Sequence, residues 1–251
     1  MQQAATVRWE WIGEGWNMFV QRWGTWVVHM LVFVLIIIAI MAPIYIIAIA
    51  SSVAAGASEQ PEAPPAIFFV AMLLLYPLML LAIAFLFAGT YKTALKQLRG
   101  EPTSIGDLFS GADCFWRVLG TIFLVGILAM IGAIFCIIPA FIVQGLCFFA
   151  LPLVVERGMG PIQAIQASIE ATKKDWLMFT AFAFVVQLIA GAGAILCYVG
   201  LLASYPLFFL ISVIAYRDEF GVAGASGPQT YSPPPPPDYG MNPPPPPSSW
   251  Q

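Results

Sequence analysis

The residues of this sequence with the types and positions for chemistry inside a membrane are few. His29, Gln144 and Gln187 fall within long apolar runs, and no Asp, Glu, Lys or Arg falls inside those runs. A polar side chain in hydrocarbon is costly, which makes each one a functional candidate. The absent types matter as much. Proton-coupled pumps generally use a buried carboxylate, and ion-coupled carriers use several converging polar ligands. Gln144 and Gln187 have two readings: a hydrogen bond between helices, of about 1 kcal/mol, or the lining of a pathway. His29 lies three residues past Trp26, so it is expected at headgroup depth. The four cysteines are Cys114, Cys136, Cys147 and Cys197. They form no CxxC pair, have no His-rich partner set, and the last three sit in apolar runs. Free cysteines there behave as small hydrophobes rather than redox or metal groups. An intramembrane enzyme would need paired acids, a Ser–Lys pair or a metal set. None is visible, so no catalytic residue, cofactor or metal is expected, and the chain reads as a non-enzyme.

A second kind of chemistry is recognition. Residues 222–251 hold two runs of five prolines, Pro233–Pro237 and Pro243–Pro247, with Tyr231, Tyr239 and Trp250 before, between and after them. Such a run favours an extended left-handed helix and cannot build a core. The segment is expected to be a disordered cytoplasmic extension. It reads either as a spacer or as a ligand for a soluble protein with an aromatic proline-binding groove, with the duplicated run raising avidity.

The elements that must position these residues follow from composition. Of 251 residues, 60% are hydrophobic and 9% charged, against about 25% charged in a soluble domain. So much apolar surface requires a lipid bilayer as solvent. The formal net charge of −3 lacks the basic surface that nucleic acid needs. A crossing helix needs about 20 apolar residues. The runs divide into six predicted spans, at about 26–50, 67–87, 118–136, 139–155, 177–197 and 199–216. Gly132 with Pro139, and the stretch Gly191–Gly200, mark two tight turns. Pro43 and Pro77 fall within spans and are expected to kink them. The first run is too long for a signal-peptide core. All ten basic residues fall before the first span, in the 2–3 or 4–5 connections, or after the sixth. By the positive-inside rule both ends are cytoplasmic, in a cell (inner or plasma) membrane.

An internal repeat organises the spans. Ile12, Trp16, Phe19 and Trp23 precede the first hairpin. Ile105, Phe109, Ala112 and Trp116 precede the second, and Ile165, Ile169, Thr172 and Trp176 the third. The shared spacing i, i+4, i+7, i+11 places each set on one helix face. Trp23, Trp116 and Trp176 then stand at lipid–water boundaries as interfacial anchors. Ser104 with Asp107 has capping-box spacing, and Gly160–Pro161 puts proline at a first helical position. The predicted fold is therefore all-α: three transmembrane hairpins, each preceded by an amphipathic interfacial helix, over residues 1–221. Glycines 120, 126 and 132 and the stretch Ala190–Ala194 are expected to let helices approach closely.

The segment Ala150–Trp176, ALPLVVERGMGPIQAIQASIEATKKDW, resembles a stretch of a bacterial six-span membrane family related to the membrane domain of glycerophosphoryl diester phosphodiesterases. The resemblance rests on Ala164 and Ser168 four residues apart, on Lys174–Asp175 in the polar turn, and on Ile138–Pro139 opening the fourth span. It extends over residues 5–220. It implies a six-helix architecture and no settled activity, and the catalytic domain of the fused relatives is absent from this sequence. The function expected is a membrane scaffold that recruits a soluble partner through the Pro-rich segment. The alternative is a transporter or lipid-handling bundle.

Overall fold

The computed structural model describes residues 6–56, 66–135, 137–195 and 199–222. All regular elements among them are helical. They are α1 (Glu10–Gln21), α2 (Trp23–Gly56), α3 (Ala66–Leu98), a 3₁₀ segment (Ile105–Asp113), α4 (Phe115–Phe135), α5 (Ile137–Leu146), α6 (Ala150–Arg157), α7 (Pro161–Thr172), α8 (Trp176–Ala192) and α9 (Leu201–Phe220). Among the described residues six helices are long and apolar enough to cross a membrane. The chain is a multi-pass membrane protein built as an all-α bundle.

The turns form where the breakers stand. The first residue of α5 follows the last of α4 by two positions, with Gly132 close to Pro139 and Ala140 across the hairpin. Gly193 and Gly200 lie so close that a Cβ on Gly193 would fall 2.2 Å from the Gly200 carbonyl carbon. Gly120 abuts Pro161, whereas Gly126 and Gly191 face open space and do no packing. Several helices outrun the predicted spans. α3 continues eleven residues past Phe87 to Leu98, and α9 continues through Arg217, Asp218 and Glu219. The run 139–155 becomes two helices, α5 and α6, interrupted at residues 147–149. A hydropathy count stops at the first charge, but a helix does not when ion pairs to neighbouring segments satisfy that charge.

The repeat has a cyclic form. The amphipathic segment before each hairpin packs on the second helix of the preceding hairpin. The 3₁₀ segment lies on α3, α7 on α5 and α6, and α1 closes the ring on α9. Small residues make each contact. A Cβ on Gly89 would fall 1.8 Å from the Leu108 carbonyl oxygen, and one on Gly15 would fall 2.6 Å from Ile211 Cγ1. Ser168 takes the same place in the third unit. Its Oγ donates to the Leu146 carbonyl at 2.7 Å and accepts from the Phe149 N–H at 3.1 Å.

The buried stripe is offset from the predicted one. Trp11, Gly15 and Met18, then Leu108 and Gly111, then Ala164 and Ser168 face the protein. Each stands one position before its counterpart in the Ile-to-Trp pattern. In the first two units Trp16, Ile105 and Phe109 are exposed instead, although Phe19 is buried; in the third, Ile165 and Thr172 are buried. The physical reason is that helix–helix contact in a membrane goes to the face that lets backbones approach. Bulky rings remain for lipid. The signals at the segment starts hold: the Ser104 N–H donates to Asp107 Oδ2 at 2.8 Å in a capping box, and Pro161 opens α7.

Candidate functional site

Inside the apolar bundle two of the polar candidates are paired with each other. Gln187 Nε2 donates to Gln144 Oε1, joining α8 to α5. The two candidates for a pathway thus meet across a helix pair, where each supplies the other's partner. His29 is fully buried inside the protein. It sits between α2 and α3 with Nε2 3.1 Å from Thr90 Oγ1. The Thr90 hydroxyl donates to the Leu86 carbonyl at 2.7 Å, so its lone pair faces the ring and Nε2 carries the hydrogen. His29 Nδ1 is buried with no hydrogen-bond partner among the described residues, while the buried Ser212 and Tyr216 hydroxyls face Tyr91 and Arg157. Sequence reasoning missed Ser212 and Tyr216 because a hydroxyl every four residues in an apolar helix is unremarkable in composition. Among the described residues no three His, Cys, Asp or Glu side chains converge as metal ligands. Cys114 and Cys147 are buried thiols, and burial pushes the Cys114 thiol up, away from the thiolate that reactivity requires.

The densest chemistry is at the charged end of the bundle. There the ends of α3, α6 and α9 converge and the amphipathic segments are strapped to them. Asp218, its side chain 5% exposed, accepts from Arg8 at 2.8 Å and from the Trp11 indole N–H at 2.9 Å. The neighbouring Arg217 donates to Glu14 at 2.8 Å. These bonds fasten α1 to α9. Lys96 pairs with Asp107 at 2.6 Å and Lys92 with Asp113, fastening the 3₁₀ segment to α3. Burial opposes ionisation of Asp107, but the Lys96 ammonium and the Ser104 N–H outweigh it and hold the carboxyl below its ordinary value. The Lys92 hydrogen bond does the same for Asp113. Arg99 pairs with Glu156, linking α3 to α6. Arg157 donates to the Phe220 carbonyl and stands 5.6 Å over its ring, linking α6 to α9.

A further chain crosses three helices: Trp26 Nε1 donates to Gln97 Oε1 at 2.6 Å, and Gln97 Nε2 donates to the Met18 carbonyl at 2.6 Å. Many of the bases that mark one side of the membrane in the sequence thus have a structural partner as well. The sequence showed them as a charge count; the partners named above, 11 to 210 residues away, carried no local signal.

Trp23, Trp116 and Trp176 are 63%, 75% and 44% exposed, so each ring stands outside the protein core at the start of α2, α4 and α8. Pro233, Pro237, Pro243 and Pro247 lie outside the described residues. What the structure does give is their point of departure. Phe220 and Val222 are both buried, Gly221 turns the chain with φ 74°, and its N–H caps α9 on the Arg217 carbonyl at 2.8 Å.

Comparison with known proteins finds relatives without an assigned activity. The chain is 28% identical over 229 residues to the uncharacterized protein Rv2560 of Mycobacterium tuberculosis. It is equally similar over 225 residues to the uncharacterized protein Mb2590 of Mycobacterium bovis. Each alignment covers 84% of this chain and 67% of the relative. No family model and no solved structure matches.

Proposed function

We propose that the protein is a non-enzymatic membrane scaffold whose bundle holds a Pro-rich recruiting segment at the cytoplasmic face of the cell membrane. The observation that carries the reading is the join between anchor and segment. The chain is tied by α1, α6 and its own helix cap up to Val222, and from there it leads into two runs of five prolines. The concentration of Arg and Lys at that end supports a cytoplasmic placement. The pairing of Gln144 with Gln187 gives the intramembrane polar groups a packing role, and the resemblance to six-span phosphodiesterase membrane domains supports an anchor without its own catalysis. The partner is a soluble protein with an aromatic groove that accepts extended proline helices. The test compares the full chain with a chain ending at Val222 as bait. Specific recovery of a proline-binding protein by the full chain alone supports the reading. Equal recovery by both baits overturns it.

A lipid-handling bundle is the second reading, favoured by the exposed rings of Trp16, Phe109 and Trp116 at the charged end. Reconstituted lipid movement that disappears when these rings become Ser would favour it over the scaffold; movement at the protein-free rate would remove it.

A further inference from the structure

The three hairpins are unequal in length. The charged ends of their second helices are level, because Arg99 of the first reaches Glu156 of the second, and Arg157 of the second reaches the Phe220 carbonyl of the third. From that common base α9 runs 20 residues, or roughly 30 Å. α5 and α6 together cover about the same rise. α3 runs 33 residues and its partner α2 34, or roughly 50 Å each. A cavity of about 200 Å³ gives an independent level: Leu201, the first residue of α9, lines it together with Phe33, Ile37 and Ile38 of α2. Nearly all of α2 beyond Ile38, and the facing part of α3, therefore stands past the ends of the other two hairpins, by roughly 20 Å.

This projection is apolar on its outside. Tyr45, Ile46, Ile49, Leu73, Leu74 and Tyr76 are each 63–75% exposed. Neither α2 nor α3 carries a charged residue before Lys92, apart from the buried and bonded His29. The uncharged length of α2 exceeds the roughly 30 Å of a hydrocarbon core. That of α9, Leu201–Tyr216, falls short of it at roughly 24 Å. The exposed face continues without a polar break from Leu31 and Leu35 to Ile46 and Ile49, so it is one surface with the lipid-facing flank of the same helix. A bilayer meets such a mismatch by changing thickness.

We propose that the domain imposes a step on the bilayer: acyl chains of the leaflet remote from the charged end cover the first hairpin at full height, and that leaflet thins to meet the shorter second and third hairpins. Lipids with short chains are then favoured beside α4, α5, α8 and α9. Lipids with long chains are favoured beside α2 and α3. The proposal is independent of the Pro-rich segment and stands or falls without it.

The test places an environment-sensitive fluorescent amino acid, by stop-codon suppression in the otherwise unaltered full chain, at one exposed position per hairpin. The positions are Leu74 on the first, Ile138 on the second and Val199 on the third, with Tyr45 replacing Leu74 should that variant not fold. The probes are phosphatidylcholine vesicles carrying a quencher either at the headgroup or deep in the chain. Counted from the level bases at Arg99 and Phe220, Leu74 lies farther from the charged end than Val199 by about 6 Å. The expected result is a reversal: the chain quencher acts more strongly at Leu74 or Tyr45, and the headgroup quencher more strongly at Ile138 and Val199. Two results would overturn the proposal. Loss of quenching by both lipids at Leu74 means that water, a second copy or another protein covers the first hairpin. Stronger chain than headgroup quenching at Val199 and Ile138 means that the short hairpins end inside a leaflet of full thickness.

Discussion

Asp218 is the point at which the ring of amphipathic segments closes, and its removal should open that ring locally. Its carboxylate holds α1 by two bonds, to the partly exposed Arg8 and to the buried Trp11 indole. A hydrogen bond to a charged group contributes about 1.5–3 kcal/mol. The Arg8 side chain is 43% exposed, so solvent screening reduces its share to about 0.5–1 kcal/mol. The Trp11 N–H has no water to replace its partner, and stranding it costs about 1–3 kcal/mol. Asp218→Ala should therefore destabilise the docking of α1 by about 2–3 kcal/mol. Since every 1.4 kcal/mol is tenfold, amide exchange across Glu10–Gln21 should accelerate roughly 30- to 150-fold. Asp218→Asn keeps an acceptor for Trp11 and should show a smaller effect, about 1 kcal/mol. The assay is hydrogen exchange read by mass spectrometry on the detergent-solubilised chain, with α7 as the internal standard whose exchange should not change. Acceleration of less than about threefold in α1, or equal acceleration in α1 and α7, would refute the reasoning.

Three further outcomes follow from the same geometry. Gly89→Val should lower thermal stability by about 1–3 kcal/mol or more through collision with the Leu108 carbonyl, whereas Gly126→Ala, in open space, should raise it by about 0.5–1 kcal/mol; thermal unfolding in one detergent compares them. Gln187→Leu alone should destabilise by about 1–2 kcal/mol because Gln144 loses its partner, and the double replacement by Leu should recover most of that loss; a double replacement worse than the single one argues for a role beyond pairing. The Asp107 carboxyl is held below its ordinary value in the folded chain, so its contribution is complete above the unfolded carboxylate range of about 4 and is lost as pH falls through the lower folded value. Exchange protection of Ile105–Asp113 should hold at neutral pH and fall only below about pH 4, and in Asp107→Asn it should be reduced already at neutral pH.

The sequence carried the membrane class and the number of crossings because apolar length and the one-sided placement of Arg and Lys are local properties. It carried the repeat for the same reason, as spacing. It did not carry the packed face of that repeat. Trp16 and Gly15 are adjacent, and composition favours the ring, but the close approach to Ile211 selects the glycine. The burial of His29 was not legible because its partner Thr90 lies 61 residues away. α3 and α9 run past the predicted span ends at Phe87 and Tyr216, because the charges of Lys92 and Arg217 are neutralised by segments remote in sequence. In each case the missing information was a partner rather than a property of the residue itself.

The central claim is that two proline runs recruit a soluble partner to a packed membrane anchor. The measurement that tests it most directly is quantitative recovery of bound protein by the full chain with Pro233–Pro237, Pro243–Pro247 or both replaced by Gly/Ser runs of equal length. The account expects a proline-groove protein that is retained by the native chain, weakened by either replacement and lost with both, as two linked sites require. Recovery that is unchanged when both runs are replaced would contradict it.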